Sequence, residues 1–294
     1  MTLAAADFRP RLAARRRRGA FFAVICAAMI LFGVVILAVL VAKVFAQGWT
    51  FLTPRLLSNF PSTLDPEQGG VKSALYGTLW LIGMTAFFVV PVGVGAAVYL
   101  QEYAPRNRLT TFLEVNLSNL AGVPSIVYGI LGLAVFVRWF TLGEGVLAGA
   151  LTLSLMVLPV VIVASRESLL AVPGSMRAAA YALGATRWQT IRAHVIPSAI
   201  PGILTGVILA VSRAIGEAAP LIMVGAMGFV TFVPTRLDEN FTALPIQIYT
   251  WSSEAQPVYH NLAAAAIIVL LGILIPFNAI AIGVRAWRQT KQAW

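Results

Sequence analysis

The chain has 294 residues and a formal net charge of +10; 59% of its residues are hydrophobic and only 11% charged, where a soluble domain has roughly 45–50% and about 25%. With a mean hydropathy of +0.86, this composition excludes a soluble globular protein, and the low charge with abundant Val, Ile, Leu and Phe excludes a disordered one. The single cysteine, Cys26, lies in an apolar stretch and gives no internal disulfide, redox or metal motif.

In chain order the charge-free intervals are 19–42, 73–101, 115–137, 145–165 and 255–284; a further apolar stretch, 198–230, carries Arg213 and Glu217 inside it. Each reaches the length of about 20 residues that a transmembrane helix needs, and none alternates with the two-residue period of a barrel strand. The expected fold class is therefore all-α and polytopic, with about six spanning helices. The first span follows Arg15 to Arg18 and precedes Val44-Phe45-Ala46, the layout of a cleavable signal peptide. Its 24 residues before Lys43 exceed the about 7–15 of a signal h-region, so it is read as a retained helix. The chain divides into a basic N-terminus (1–18), a first helix with its loop (19–72), a core of five further helices (73–285) and a short C-terminus (286–294).

Charge sets the orientation. With the N-terminus in the cytoplasm, one face holds Arg9, Arg11, Arg15 to Arg18, Arg106, Arg108, Arg166, Arg177, Arg187, Arg192, Arg285, Arg288 and Lys291. The other holds only Lys43, Arg55, Lys72, Arg138 and Arg236. Such a bias places both termini inside. The basic excess is thereby a topology and anionic-lipid signal, not the basic stripe with interleaved aromatics of a nucleic-acid binder.

Three connections are long. The outside segment 47–72 has a mildly amphipathic middle (Trp49, Phe51, Leu56, Leu57, Phe60) suited to a short interfacial helix. The outside segment 229–258 contains Phe241-Thr242-Ala243-Leu244-Pro245 and Tyr249-Thr250-Trp251, aromatics suited to the membrane–water boundary. The cytoplasmic segment 166–200 is neither apolar enough to span nor polar enough for a loose linker. Pro173-Gly174-Ser175 opens it, Met176 to Gly184 is Ala-rich, a helical apolar pattern continues to Ile196, and Pro197 stops it. Two short helices hinged at Gly184 are predicted, either a docking surface or a helix lying at the interface.

No hydrolytic machinery is legible. The lysines are Lys43, Lys72 and Lys291, and none follows a glycine as a phosphate-cradling P-loop requires. His194 and His260 make no metal-ligand spacing, and no Ser/His or Cys/His arrangement is signalled.

Arg213 and Glu217 stand out, predicted near the middle of the fifth span. Their i, i+4 spacing puts them within reach of each other on a helix, and a charge at the bilayer centre costs about 2.5–3.5 kcal/mol on insertion scales. One reading is a bridge that locks two helices, with the small residues Ala210, Ala214 and Gly216 at a close contact. The other is a guanidinium on a substrate path, tempered by its carboxylate neighbour, whose fork of donors suits a tetrahedral oxyanion. Arg166, at the inner end of the fourth span, is a second pathway candidate; an orientation signal accounts for it equally. Pro124, Pro159 and Pro220, with Gly122, Gly129 and Gly216, mark possible bends or close approaches.

The segment Ala178-Ala179-Ala180 … Gly184 … Ile196-Pro197 resembles the "EAA" loop of ABC-importer permeases. With Ala121-Gly122-Val123-Pro124-Ser125-Ile126-Val127-Tyr128-Gly129, Ser212 to Leu221 and Thr242 to Tyr249, the chain from about residue 70 on is similar to phosphate ABC transporter permeases of PstA type. The resemblance implies coupling helices that sit in a cleft of an ATPase, with Ala178, Ala179, Ala180, Gly184, Ile196 and Pro197 at the matching positions. It implies no cofactor on this chain, with ATP and Mg on a dimer of ATPase subunits. Further partners are a second permease of PstC type and a periplasmic phosphate-binding protein. It also implies a translocation role for residues of the kind of Arg166, Arg213 and Glu217. Two departures are that Ala178 replaces the usual Glu of the loop and His194 a common Ile. Alternatives are a permease for phosphonate or sulfate, a secondary anion transporter with Glu217 taking up a coupling proton, and a membrane scaffold or enzyme. No paired discontinuous segments speak for inverted repeats, and no nucleophile or metal pattern speaks for an enzyme.

Overall fold

The computed structural model describes residues 12–290. Arg9, Arg11 and Lys291, part of the charge asymmetry above, lie outside the described residues. Among the described residues, five helices are long and apolar enough to cross a membrane, six when a bent pair is taken as one span.

The first span is α1 (Leu12–Gly48), an unbroken helix of 37 residues, about 55 Å long at 1.5 Å per residue. Its described side chains are almost all exposed, and it meets the bundle where Gly48 lies against the backbone of Ala264 and Ala265. The short helix expected in 47–72 is α2 (Pro54–Ser58), but its Leu56 is buried in the bundle. α3 (Lys72–Val98) supplies the second span, and a π-helical turn, Tyr99–Tyr103, extends it.

The third predicted span, 115–137, is two helices. α4 (Arg108–Leu120) and α5 (Ser125–Gly132), the latter extended by a π-helical turn over Leu133–Trp139, meet at 107°. Pro124 stands at the N-terminal boundary of α5, where its missing N–H costs nothing. The Tyr128 hydroxyl donates to the Leu120 carbonyl at 2.8 Å and holds the bend.

α6 (Val146–Leu170) is the central helix, and Pro159 lies inside it without a break. A helix start leaves its first amides without partners; here Val146 donates to the Glu239 carbonyl at 3.2 Å and Leu147 to that of Leu237 at 2.9 Å. Glu239 in turn shapes this loop: its carboxylate accepts the Thr235 amide at 2.7 Å and the Arg236 amide at 3.3 Å. The Thr235 amide above all holds the carboxyl below the ordinary glutamate value of 4.5. A lowered folded pKa means the tie is fully present above that value and is lost as the pH falls through the lowered one. Acidification from neutral pH is therefore expected to reduce hydrogen-exchange protection, corrected for intrinsic rates, at Thr235, Arg236, Val146 and Leu147; unchanged protection would remove Glu239 from this role.

α7 (Gly174–Ala182) ends in a reversal at Gly184, with φ +81°. The Gly184 and Ala185 amides donate back to the Tyr181 and Ala180 carbonyls, closing the helix end. Next come α8 (Arg187–Thr190), a π-helical turn over Ile191–Val195 and α9 (Ile196–Ile215). This corrects the sequence reading: Pro197 does not stop a short helix, because Arg187–Ile215 is one continuous helix. Pro197 falls in the first turn of α9, directly after the widened π turn, where a residue without an N–H is tolerated.

The span expected in the apolar stretch 198–230 is found, but as Arg187–Ile215, and the rest of the stretch lies beyond its end. α9 ends at Ile215, and α10 (Ala219–Met223) follows an unwound step. Irregular chain leads to α11 (Leu244–Ser253), and α12 (Pro257–Thr290) completes the bundle. The segment expected at the membrane boundary is instead a plug: Phe241, Thr242, Ala243 and Leu244 are buried, and so is Trp251, while Tyr249 stays exposed.

α3, α6 and α9 form the core, with Leu81 and Val89, Leu153 and Val157, and Ala210 among its buried side chains; Phe241 of the plug seals it. Small residues set the antiparallel α6–α9 register, Gly206 lying on Ala164 and Gly202 on Ser168. One end of the bundle carries α7, α8, the 99–103 turn and the C-terminus of α6; the other carries α2, α11 and the loop that caps α6.

Candidate functional site

Arg213 occupies the last turn of α9, not the middle of a span, and Glu217 lies just past the helix end. The pair still forms, Arg213 Nε to Glu217 Oε1 at 3.4 Å, with the arginine side chain 47% exposed and the glutamate 22%. Ala210, Val211, Ala214 and Ile215 are buried around it, so the guanidinium points out of this chain's own bundle. Its two Nη groups have no protein partner among the described residues. An added Cβ at Gly216 would meet only the Arg213 carbonyl oxygen, at 3.8 Å, an ordinary contact, so the close approach expected there is not found. The close approach expected at Gly129 and Pro220 is found: an added Cβ at Gly129 would stand 2.7 Å from Pro220 Cα.

Residues that sequence reading did not single out complete this level. Ser212 donates to Asn278 Oδ1 at 2.7 Å, tying α9 to α12. The helix that follows the 107° bend and the helix that follows the unwound step after Ile215 thus meet where Gly129 lies against Pro220, and Arg213 stands in the last turn before that step. Irregular backbone at membrane depth is tolerated where it lines a cavity or is covered by protein.

Arg166 is not part of this cluster. The α6–α9 register sets it about nine residues, roughly 13 Å, from the level of Arg213. It pairs with Glu114 of α4 at 2.9 Å rather than with neighbouring Glu167, and its Nε is buried without a partner among the described residues. Beside it opens a cavity of about 260 Å³ lined by Gln101, Arg106, Thr110, Thr111 and Glu114.

At the α7 end, Ala178 and Ala179 face outward and Ala180 inward. Gly184 is exposed at the reversal, and Ile196 and Pro197 lie half-buried at the start of α9. Leu183 is 90% exposed at the tip, with Tyr181 and Trp188 also exposed. An apolar projection of this kind marks an interaction surface. α7 is fastened to the bundle by Arg177, which sequence reading also missed: it forms an ion pair with buried Glu102 at 2.7 Å.

Residues 89–288 match the family model for the inner membrane component of binding-protein-dependent transport systems. The chain belongs to this family. It is 40% identical over 213 residues to phosphate transport system permease protein PstA 1 of Mycobacterium tuberculosis, covering 70% of this chain and 68% of that protein. Over 273 residues it is 29% identical to phosphate transport system permease protein PstA of Yersinia pestis, covering 93% and 92%. The probable ABC transporter permease protein YqgI of Bacillus subtilis is 35% identical over 203 residues, covering 69% and 68%.

Among solved structures, the bacterial alginate ABC transporter in complex with an alginate pentasaccharide-bound periplasmic protein aligns with a TM-score of 0.66. Identity is 15%, with coverage of 92% of this chain and 96% of that one. The inward-facing MetNI methionine ABC transporter aligns with a TM-score of 0.59 at 17% identity, covering 72% and 94%. At such identity the likeness shows the fold, that of an ABC importer permease. As a family member the chain is a multi-pass inner-membrane permease subunit, a component that works with other permease, ATPase and periplasmic binding-protein subunits.

Proposed function

We propose that this permease subunit forms half of the translocation pathway of an ATP-driven importer of inorganic phosphate. The observation that carries the reading is the half-exposed Arg213, poised at a broken helix end and turned out of its own bundle. Its relatives named for phosphate transport give the ion its identity. A guanidinium facing away from the chain that bears it needs a second surface to enclose a path, and a second permease of PstC type supplies that surface. Arg213 then offers free N–H groups to a phosphate oxygen in a place poor in water, where such bonds are strong. Glu217 holds the guanidinium by Nε. Arg166, beside its polar cavity, forms a second station toward the α7 end.

The α7 end faces the cytoplasm in this reading, with both chain termini on the same side. A dimer of ATPase subunits, carrying ATP and Mg, receives the projection of α7 and α8; this chain binds no cofactor. A periplasmic phosphate-binding protein docks at the opposite end. Vesicles holding all partners are expected to take up phosphate in preference to sulfate, only with ATP. Uptake driven by a proton gradient without ATP would overturn the reading, and preference for sulfate would reassign the ion.

Docking depends on the reversal at Gly184. A β-branched residue at φ +81° is strained by about 1–2 kcal/mol and moves the Leu183 tip. Gly184→Val is expected to lower the ATPase that co-purifies by about tenfold. Unchanged co-purification would show that this reversal does not carry the contact.

A further inference from the structure

We infer that the π-helical turn Tyr99–Tyr103 receives the movement of the coupling segment, with Glu102 and Arg177 as the positioning residues that transmit it to α3 and α6. The inference rests on the permease reading above and goes beyond it, because it assigns the route inside this chain.

One guanidinium closes on three elements. Arg177 of α7 donates through Nη2 to Glu102 Oε1 at 2.7 Å and through Nε to Oε2 at 3.4 Å, a forked pair with the last turn of the α3 unit. The same side chain donates to the carbonyls of Leu169 at 3.0 Å and Val172 at 2.8 Å, at the C-terminal end of α6. Glu102 is 6% exposed, so the pair is shielded from water. The next residue of the turn makes a second link: the Arg187 guanidinium of α8 lies 5.0 Å over the Tyr103 ring. α7 and α8, the two halves of the projection, are thus each tied to adjacent positions of one π turn. An extra residue in a helical turn re-aims the side chains that follow it, and such turns recur at functional sites.

Stability alone does not explain this arrangement. A buried ion pair gains little over apolar packing once desolvation is counted. A cation in the first turn of α7 also opposes that helix's own dipole. What the fork supplies is direction: displacement of α7 cannot occur without pulling on α3 and α6 together. Those helices pack along the core through Leu81, Val89, Leu153 and Val157, and α6 packs in turn on α9, which bears Arg213.

The test uses the full complex with its second permease, ATPase and binding protein in vesicles, reading phosphate moved per ATP hydrolysed and the ATPase retained. Glu102→Gln and Arg177→Ala are expected to keep the ATPase bound and hydrolysis within about twofold, while uptake falls about tenfold. The double variant Glu102→Arg/Arg177→Glu restores the pair with the 99–103 turn but not the donations to the Leu169 and Val172 carbonyls, which a carboxylate cannot make; it is expected to regain only part of the ratio, and Arg177→Lys, a charge without the fork, to fall between wild type and Arg177→Ala. A wild-type ratio in both single variants would overturn the inference. So would parallel loss of uptake, hydrolysis and bound ATPase, which marks a mere anchor. Should the buried variants not accumulate, Tyr103→Leu, at a partly exposed site, decides: a ratio lowered about threefold supports the route and an unchanged ratio refutes it. Failure of the phosphate reading looks different, since wild-type vesicles then show no ATP-dependent phosphate uptake; the same ratio read with sulfate still tests the route.

Discussion

Replacing Arg213 with glutamine is expected to cut ATP-driven phosphate uptake by about a hundredfold while the complex still assembles. A hydrogen bond to a charged group contributes about 1.5–3 kcal/mol, and a neutral amide keeps the size and some of the donors but not the charge that attracts an anion. Assembly survives because the side chain is nearly half exposed and, among the described residues, makes one long polar contact, 3.4 Å to Glu217. The measurements are labelled-phosphate uptake and the subunit stoichiometry of the purified complex. Normal uptake would remove Arg213 from the pathway. Loss of the second permease from the complex would show instead that the guanidinium locks two subunits together.

The second large effect is on folding. Gly77→Leu is expected to abolish accumulation of the protein in the membrane. An added Cβ at Gly77 would fall on the backbone carbonyl oxygen of Thr242, so neither partner can relieve the clash by changing a rotamer. The contact is reinforced next door, where the Thr78 hydroxyl donates to the Ala74 carbonyl at 2.7 Å and accepts the Leu244 amide at 2.8 Å. Overpacking costs about 1–3 kcal/mol even when side chains can adjust; here the whole plug, Phe241 to Pro245, must leave its seat and expose its amides. Gly83 on the same helix has nothing among the described residues within 4 Å of an added Cβ, so Gly83→Leu is the matched control and is expected to accumulate normally. The readout is monodisperse protein in detergent extracts. Equal yields from the two variants would show that the plug does not depend on this close approach.

Sequence reading reached the architecture because lipid imposes long apolar runs that charge delimits: α3, α6 and α12 lie where 73–101, 145–165 and 255–284 place them. It went astray where a run is apolar but internally broken. The stretches 115–137 and 198–230 have the composition of spans, and what divides them is local geometry: Pro124 with the Tyr128 hydroxyl in one, the end of α9 before Pro220 in the other. Pro197 misled in the opposite sense, because a preceding π turn is invisible in hydropathy. The Arg213–Glu217 pair was legible from its spacing. The Arg177–Glu102 and Arg166–Glu114 pairs were not, since 75 residues separate the first two and only the packing of α7 and α4 against the spans brings such partners together.

The distance between Arg213 and Arg166 along α6 and α9 also bears on speed. On the proposed pathway past both guanidiniums, a tetrahedral oxyanion is too small to touch both at once, so transit would be a hop between two shallow wells rather than residence in one. Deepening either well, for instance by neutralising its resident carboxylate, would raise occupancy and slow turnover together. A faster importer of this design would therefore be one that grips its cargo less.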